Sequence, residues 1–194
     1  QGRFRTFAEG RSENRWLDTG RIAGADAYQI LGVESVFNMG PLQITGEFMK
    51  AWLQRDAASG RNVDFQGGYL YVSYFLTGEH IPWNRELGIL GRVEPIESFI
   101  RVSKCKCERG VERGRGAWQV AARLSHADLN DDDVFGGVGR SATLALNWHW
   151  NSHSQLQFNY IIGRINDRVT VLNGGAAVVS GEYQIAGTRF VIDF

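Results

Sequence analysis

Three prolines and two cysteines in 194 residues leave little with which to interrupt or staple a fold. The cysteines, Cys105 and Cys107, stand in Lys-Cys-Lys-Cys. One intervening residue is a poor disulfide spacing and supplies at most half a metal site, so no metal or cofactor is expected there and the surrounding stretch reads as an ordinary insertion. Charge of one sign is also lacking. Lys plus Arg equals Asp plus Glu, the formal net charge is zero, and no basic face calls for nucleic acid. No apolar run approaches the roughly 18 residues of a membrane-crossing helix. That absence leaves a closed β-barrel open, because its ladders satisfy every backbone group in lipid. The opening Gln-Gly-Arg-Phe-Arg has no charged region ahead of an apolar core. Either a signal peptide has been removed or the chain starts mid-protein.

Glycine and aromatics are plentiful: 24 Gly, 11 Phe, six Trp and six Tyr. They fall in short segments that alternate with period two, the pattern of strands. Leu144, Leu146, Trp148 and Trp150 alternate with Thr143, Asn147 and His149. Leu156, Phe158, Tyr160 and Ile162 alternate with Gln155, Gln157 and Asn159. Trp118, Val120, Ala122 and Leu124 oppose Gln119, Arg123 and Ser125. The same holds for Leu70, Val72, Tyr74 and Leu76, for Ile44, Gly46 and Phe48, and for Val33, Ser35 and Phe37. In the last segment Ala186, Thr188, Phe190, Ile192 and Phe194 oppose Tyr183, Gly187, Arg189 and Asp193. At the start, Arg3 and Arg5 share one face against Phe4 and Thr6. About eight strands are expected, each apolar on one side and polar on the other. Tight turns are expected at Asn38-Met39-Gly40-Pro41 and Asn151-Ser152-His153-Ser154. Longer polar loops are expected at residues 9–26, 55–62, 126–137 and 164–181.

Short turns at one end and long loops at the other fit a transmembrane antiparallel β-barrel, with lipid on one face of each strand and a wet lumen on the other. A β-sandwich alternates too. Against it stand aromatics grouped at strand ends (Trp148, Trp150, Phe190, Phe194), where interfacial girdles sit. If the C-terminus is periplasmic, the loops at 55–62, 126–137 and 164–181 face outside. Residues 77–116, which break the short-turn rule, then form a periplasmic-side insertion in a single barrel domain spanning 1–194.

The order of several pieces resembles the phosphate-selective porin O and P family. Arg3-Phe4-Arg5 and Arg11 resemble an arginine-rich strand. Asp18-Thr19-Gly20 leads to Gly32-Val33-Glu34, the Met39-Gly40-Pro41 turn and Gly46-Glu47-Phe48. The most specific stretch is Tyr74-Phe75-Leu76-Thr77-Gly78-Glu79, followed by Gly91-Arg92-Val93-Glu94-Pro95. Gly116-Ala117-Trp118-Gln119 and Leu144-Ala145-Leu146-Asn147-Trp148 complete it. The resemblance implies the C-terminal half of a 16-stranded, usually trimeric barrel in the bacterial outer membrane, surrounded by lipid and passing small anions such as phosphate. It also implies that the family's central lysines and constriction loop belong to a half not present here.

An anion pore needs fixed positive charge facing water, and the planar, permanently charged guanidinium suits oxyanions. By the resemblance Arg3, Arg5 and Arg11 belong to an arginine ladder that binds the permeating anion. Arg15 and Arg21 are weaker candidates, and Arg123 and Arg189 point inward on the same parity. The competing reading pairs such arginines with acids like Glu34 and Glu47, as wall-stiffening ion pairs. The run Asn130-Asp131-Asp132-Asp133 lacks the spacing of a calcium loop and reads as a solvated outer loop. His80, His126, His149 and His153 are dispersed. Ser125-His126 and Ser152-His153 are neighbours whose side chains point to opposite faces, so no catalytic triad is expected and the chain is not read as an enzyme. A non-selective general porin, and a structural or adhesion barrel, are the alternatives to an anion pore.

Overall fold

The computed structural model describes residues 2–7, 9, 15–99, 101–102, 111–112, 114–172 and 175–193. Among them all regular structure is strand. β1 (Arg5–Phe7) and β2 (Arg15–Asp18) pair with each other in a small antiparallel ladder. Seven long strands follow: β3 (Ala25–Met39), β4 (Leu42–Arg55), β5 (Val63–Phe75) and, after two short ladders, four more. The short ladders join β6 (Trp83–Asn84) to β7 (Ile89–Leu90) and β8 (Arg101–Val102) to β9 (Val111–Glu112). The last four strands are β10 (Ala117–Asp131), β11 (Val134–Asn151), β12 (Ser154–Leu172) and β13 (Gly175–Ile192). The seven form one antiparallel sheet in the order β13-β12-β11-β10-β5-β4-β3, a meander with open edges at β3 and β13.

Register carries the alternation across the whole sheet. Phe37 pairs with Ile44, Ile44 with Val72, Val72 with Ala122, Ala122 with Leu144, Leu144 with Tyr160, and Tyr160 with Ala186. One row of apolar side chains thus crosses all seven strands on one face. A parallel row runs Met39, Leu42, Tyr74, Val120, Leu146, Phe158 and Thr188. These rows are not a core. Leu144 is 64% exposed, Phe37 53%, Phe190 50% and Ile192 52%. A sandwich would bury this face against a second sheet, and among the described residues none covers it.

The hairpin ends differ from the sequence reading in three places. Among the described residues the sheet has seven strands rather than about eight, because the first segment folds back on β2 instead of joining it. The expected loop at 126–137 is a two-residue turn at Asp132 and Asp133, with Asp132 in the left-handed region (φ 47°) that short Asp side chains tolerate. The expected loop at 164–181 is largely strand, since β12 runs to Leu172 and β13 starts at Gly175. Gly, Asp and Asn suggested loops there, yet the ladder propagates through them, with Arg164 opposite Glu182. The turns at Gly40-Pro41 and Ser152-His153 are two residues long, as expected.

Both of those turns, residues 76–99 and 114–116 and the end of β13 share one end of the sheet. There Arg92 bridges to Asp193 (2.6 Å) and donates to His153 Nδ1 (2.9 Å), and the Phe99 amide donates to the Trp150 carbonyl (2.8 Å). Buried Glu79 accepts from the Ile96 amide (3.2 Å) and from the Thr77 hydroxyl. The same end carries an aromatic cluster. Trp118 stacks on Trp148 at 5.0 Å, Trp150 meets Trp148 edge-on at 5.4 Å, Phe190 lies 5.1 Å from Trp150, and Phe99 packs against both tryptophans of β11. The expected girdle residues Trp148, Trp150 and Phe190 therefore do gather. Phe194, Arg11, Cys105 and Cys107 lie outside the described residues.

Candidate functional site on the polar face

The opposite face carries the polar partners. Gln43, Ser73, Gln119 and Asn147 are buried and linked: Ser73 Oγ donates to Gln43 Oε1 (3.4 Å), Gln119 Nε2 to Ser73 Oγ (3.0 Å), and Asn147 Nδ2 to Gln119 Oε1 (2.9 Å). Buried amides and hydroxyls demand such partners, and this chain of bonds ties four adjacent strands together.

Residues 2–7, 9 and 15–22 lie across this face. Phe4 packs on Phe65 (5.0 Å) and Tyr28 (6.5 Å), both on the polar side. Ile22, Leu53, Val63, Phe65 and Val134 form a small buried cluster with Phe4 beside it. Leu17 fills the space left by Gly137 and Gly139, where an added Cβ would stand 3.0 to 3.1 Å from its methyls. Trp16 covers Tyr183 at 4.2 Å, and Arg168 Nη1 donates to the carbonyls of Arg15 (2.7 Å) and Trp16 (3.0 Å). Tyr183 in turn occupies the room above Gly163, whose missing Cβ would fall 2.2 Å from the ring.

The outer turns are pinned by Arg55, whose side chain is 2% exposed. It donates to the carbonyls of Ala23 (3.1 Å), Ser59 (2.7 Å) and Arg61 (3.3 Å), and pairs with Asp133 across both carboxylate oxygens. The pair holds the Asp133 carboxyl below the usual carboxylate range.

The candidate arginines are distributed as follows. Arg3 lies just before β1 and grips Asp18 with two bonds, one of 2.7 Å from Nε to Oδ1. That contact holds the Asp18 carboxyl below its ordinary value. Arg5 sits on β1 opposite Asp18 and lines a cleft of about 470 Å³ between the hairpin and the sheet. Neither lies on a wall strand. Arg15 packs over the Phe7 ring (4.3 Å), and Arg21 is exposed. Arg123 and Arg189 do lie on the polar face of the wall, Arg189 opposite Gln157. The acids differ from those anticipated. Glu34 and Glu47 face each other across β3 and β4, whereas Arg123 meets Glu9 at 3.5 Å and Arg3 meets Asp18. Glu9, Asp18, Arg55 and Arg168 were not picked out as site residues, because the contacts that single them out, to Arg123, Arg3, Asp133 and the Arg15 carbonyl, span 15 to 153 residues.

A sheet with one apolar exposed face, one polar face and an aromatic cluster at one end is consistent with part of a barrel. The sequence profile of the family described as phosphate-selective porin O and P matches residues 8–194. The chain belongs to that family. The family's description points to a channel rather than to an enzyme. The match covers Arg11 and the wall, and begins after Arg3 and Arg5. An uncharacterised protein of Caulobacter vibrioides is 29% identical over 163 residues, which cover 84% of this chain and 29% of the relative. The chain therefore spans under a third of the length of that curated relative.

Proposed function

We propose that the chain forms part of the wall of an outer-membrane porin that lets small solutes diffuse passively, with a preference for phosphate-like anions. Family membership supports the porin reading, and one observation carries its orientation: an apolar row exposed across seven strands, backed by a polar face. Exposed in water, such a face would aggregate; in hydrocarbon it is solvated. In lipid the unpaired edges of β3 and β13 need partners, since orphaned backbone groups cost several kcal/mol each there (on the order of the desolvation penalty). Further strands of a 16-stranded barrel would supply them, within a single domain in which residues 77–116 form the periplasmic-side insertion. A homotrimer in outer-membrane lipid is the assembly the family suggests.

Guanidinium groups on the polar side support an anion preference. Arg123 and Arg189 are on the wall, and Arg5 is on the hairpin above it. Arg3, Arg5 and Arg11 remain the proposed ladder, with Arg3 working beside Asp18. The test is the reversal potential of the full-length protein in a planar bilayer under a potassium chloride gradient. An anion-selective potential is expected. Cation selectivity would end the anion reading and leave a general porin, while a protein that opens no channels but still mediates cell attachment would favour the adhesion alternative.

A further inference from the structure

Two adjacent wall strands present a compact donor patch. On β10 and β11, Arg123 is directly opposite Thr143 and Ser125 directly opposite Ser141, all on the polar face. Next to them, Tyr69 of β5 is the register partner of Ser125, and its ring lies 4.0 Å under the Arg123 guanidinium carbon. Arg123 Nε donates to Ser125 Oγ at 3.0 Å, which fixes the hydroxyl so that its own proton points outward. A carboxylate sits on the patch: that of Glu9. Its Oε1 accepts from Ser125 (2.5 Å) and Ser141 (3.1 Å) and lies 3.5 Å from Arg123 Nε, while its Oε2 accepts from Thr143.

We infer that this two-by-two patch is a binding seat for small carboxylates on the pore wall, filled here by the tethered Glu9 carboxylate. Strand register places the donors, so they converge whether or not Glu9 is present. Three hydroxyl protons divided between two oxygens, with a stacked guanidinium alongside, match a planar two-oxygen anion. The guanidinium is held flat by Tyr69, which costs less ordering on binding than a free arginine would. The seat is reachable: the Arg123 side chain is 38% exposed and borders the same cleft as Arg5. Glu9 itself lies outside the seven-stranded sheet. A tethered carboxylate acts at an effective concentration in the millimolar range, so a free carboxylate must compete with it.

That the patch faces a pore rests on the function proposed above, so its test uses a binding readout that needs no conduction. Carbon-13-labelled acetate is titrated into full-length protein in detergent, and its line broadening is followed by nuclear magnetic resonance. Glu9→Ala is expected to lower the half-saturating acetate concentration by on the order of tenfold. Adding Thr143→Val or Arg123→Gln in the Glu9→Ala background should abolish the gain. An affinity unchanged by Glu9→Ala, or a gain that survives both second substitutions, overturns the seat. So does a larger gain for inorganic phosphate than for acetate, which would make the patch a general oxyanion site. Chloride conductance of the same variants, measured separately, reports on the porin reading and on folding. Conducting variants without the acetate gain remove the seat and leave the porin; acetate gain without conductance does the reverse.

Discussion

Replacing Leu144 with arginine tests what solvent the apolar row meets. Leu144 is 64% exposed and lies on β11, inside the row from Phe37 to Ala186. It stands four residues from Trp148 in the aromatic cluster. At about 3.3 Å per residue this is roughly 13 Å along the strand. A tilt of about 40° reduces it to roughly 10 Å along the membrane normal, close to the centre of an apolar band about 25 Å tall. An arginine at that depth costs about 2–4 kcal/mol in a barrel. Since about 1.4 kcal/mol is a factor of ten, the unfolding constant should rise from tens to several hundred-fold. The same change on a water-exposed surface stays within about 0.5 kcal/mol. Reversible guanidinium unfolding of the full-length protein in phospholipid vesicles, followed by tryptophan emission, measures it. Asn159→Arg is the control: it lies on the polar face opposite Gly187, which has open space beside it. A Leu144→Arg cost below about 0.5 kcal/mol, or one equalled by Asn159→Arg, would refute the assignment of the two faces.

Three further outcomes are expected. Arg55→Ala orphans three carbonyls and should cost about 2–3 kcal/mol in the same unfolding assay, whereas the coupling to exposed Asp133 in a double-mutant cycle should stay near 1 kcal/mol. Gly163→Ala drives a methyl into Tyr183 and should cost about 1–3 kcal/mol, with a change in the near-ultraviolet dichroism of the Trp16–Tyr183 pair; an unchanged spectrum would count against that packing. Arg3 depresses the Asp18 carboxyl in the folded state, so the unfolded chain binds the proton more readily. The contribution to hairpin docking is therefore full above about pH 4 and is lost as pH falls through the lower folded value. Proteolysis at residues 2–22 should accelerate below about pH 4, and Asp18→Asn should remove that dependence.

Much of the wall was legible because side-chain parity in a strand is local. Leu144, Leu156 and Phe190 announced their face by their neighbours, and the two-residue turns at Gly40-Pro41 and Ser152-His153 were bounded by clear alternation. Arg123 and Arg189 fall on the polar face by the same rule. The outer hairpins were misjudged because Gly, Asp and Asn weaken strand propensity without preventing a ladder already under way from continuing through Arg164 and Glu182. The hairpin of residues 2–22 was unreadable for a different reason. Phe4 and Thr6 alternate with Arg3 and Arg5 like a wall strand, and only distant contacts at Phe65, Gly137 and Tyr183 decide that the segment lies on the sheet instead of in it. Glu9 was invisible as a partner, since its hydroxyl donors follow it by 116 to 134 residues.

Six interstrand pairings build the sheet, and five of them join strands separated by only two to seven residues. The sixth, β5 with β10, must close across residues 76–116. Loop closure grows by about 0.6 kcal/mol per doubling of length, so an excursion of about forty residues instead of about five adds roughly 2 kcal/mol of chain entropy at that one junction. Assembly is thus expected to proceed as two prefabricated panels, β3–β5 and β10–β13, that meet late. Where they meet, the Leu76 amide donates to the Trp118 carbonyl (2.7 Å) and the Trp118 amide to Thr77 Oγ1 (3.0 Å), a clasp at the first point of contact from which the zipper can run upward.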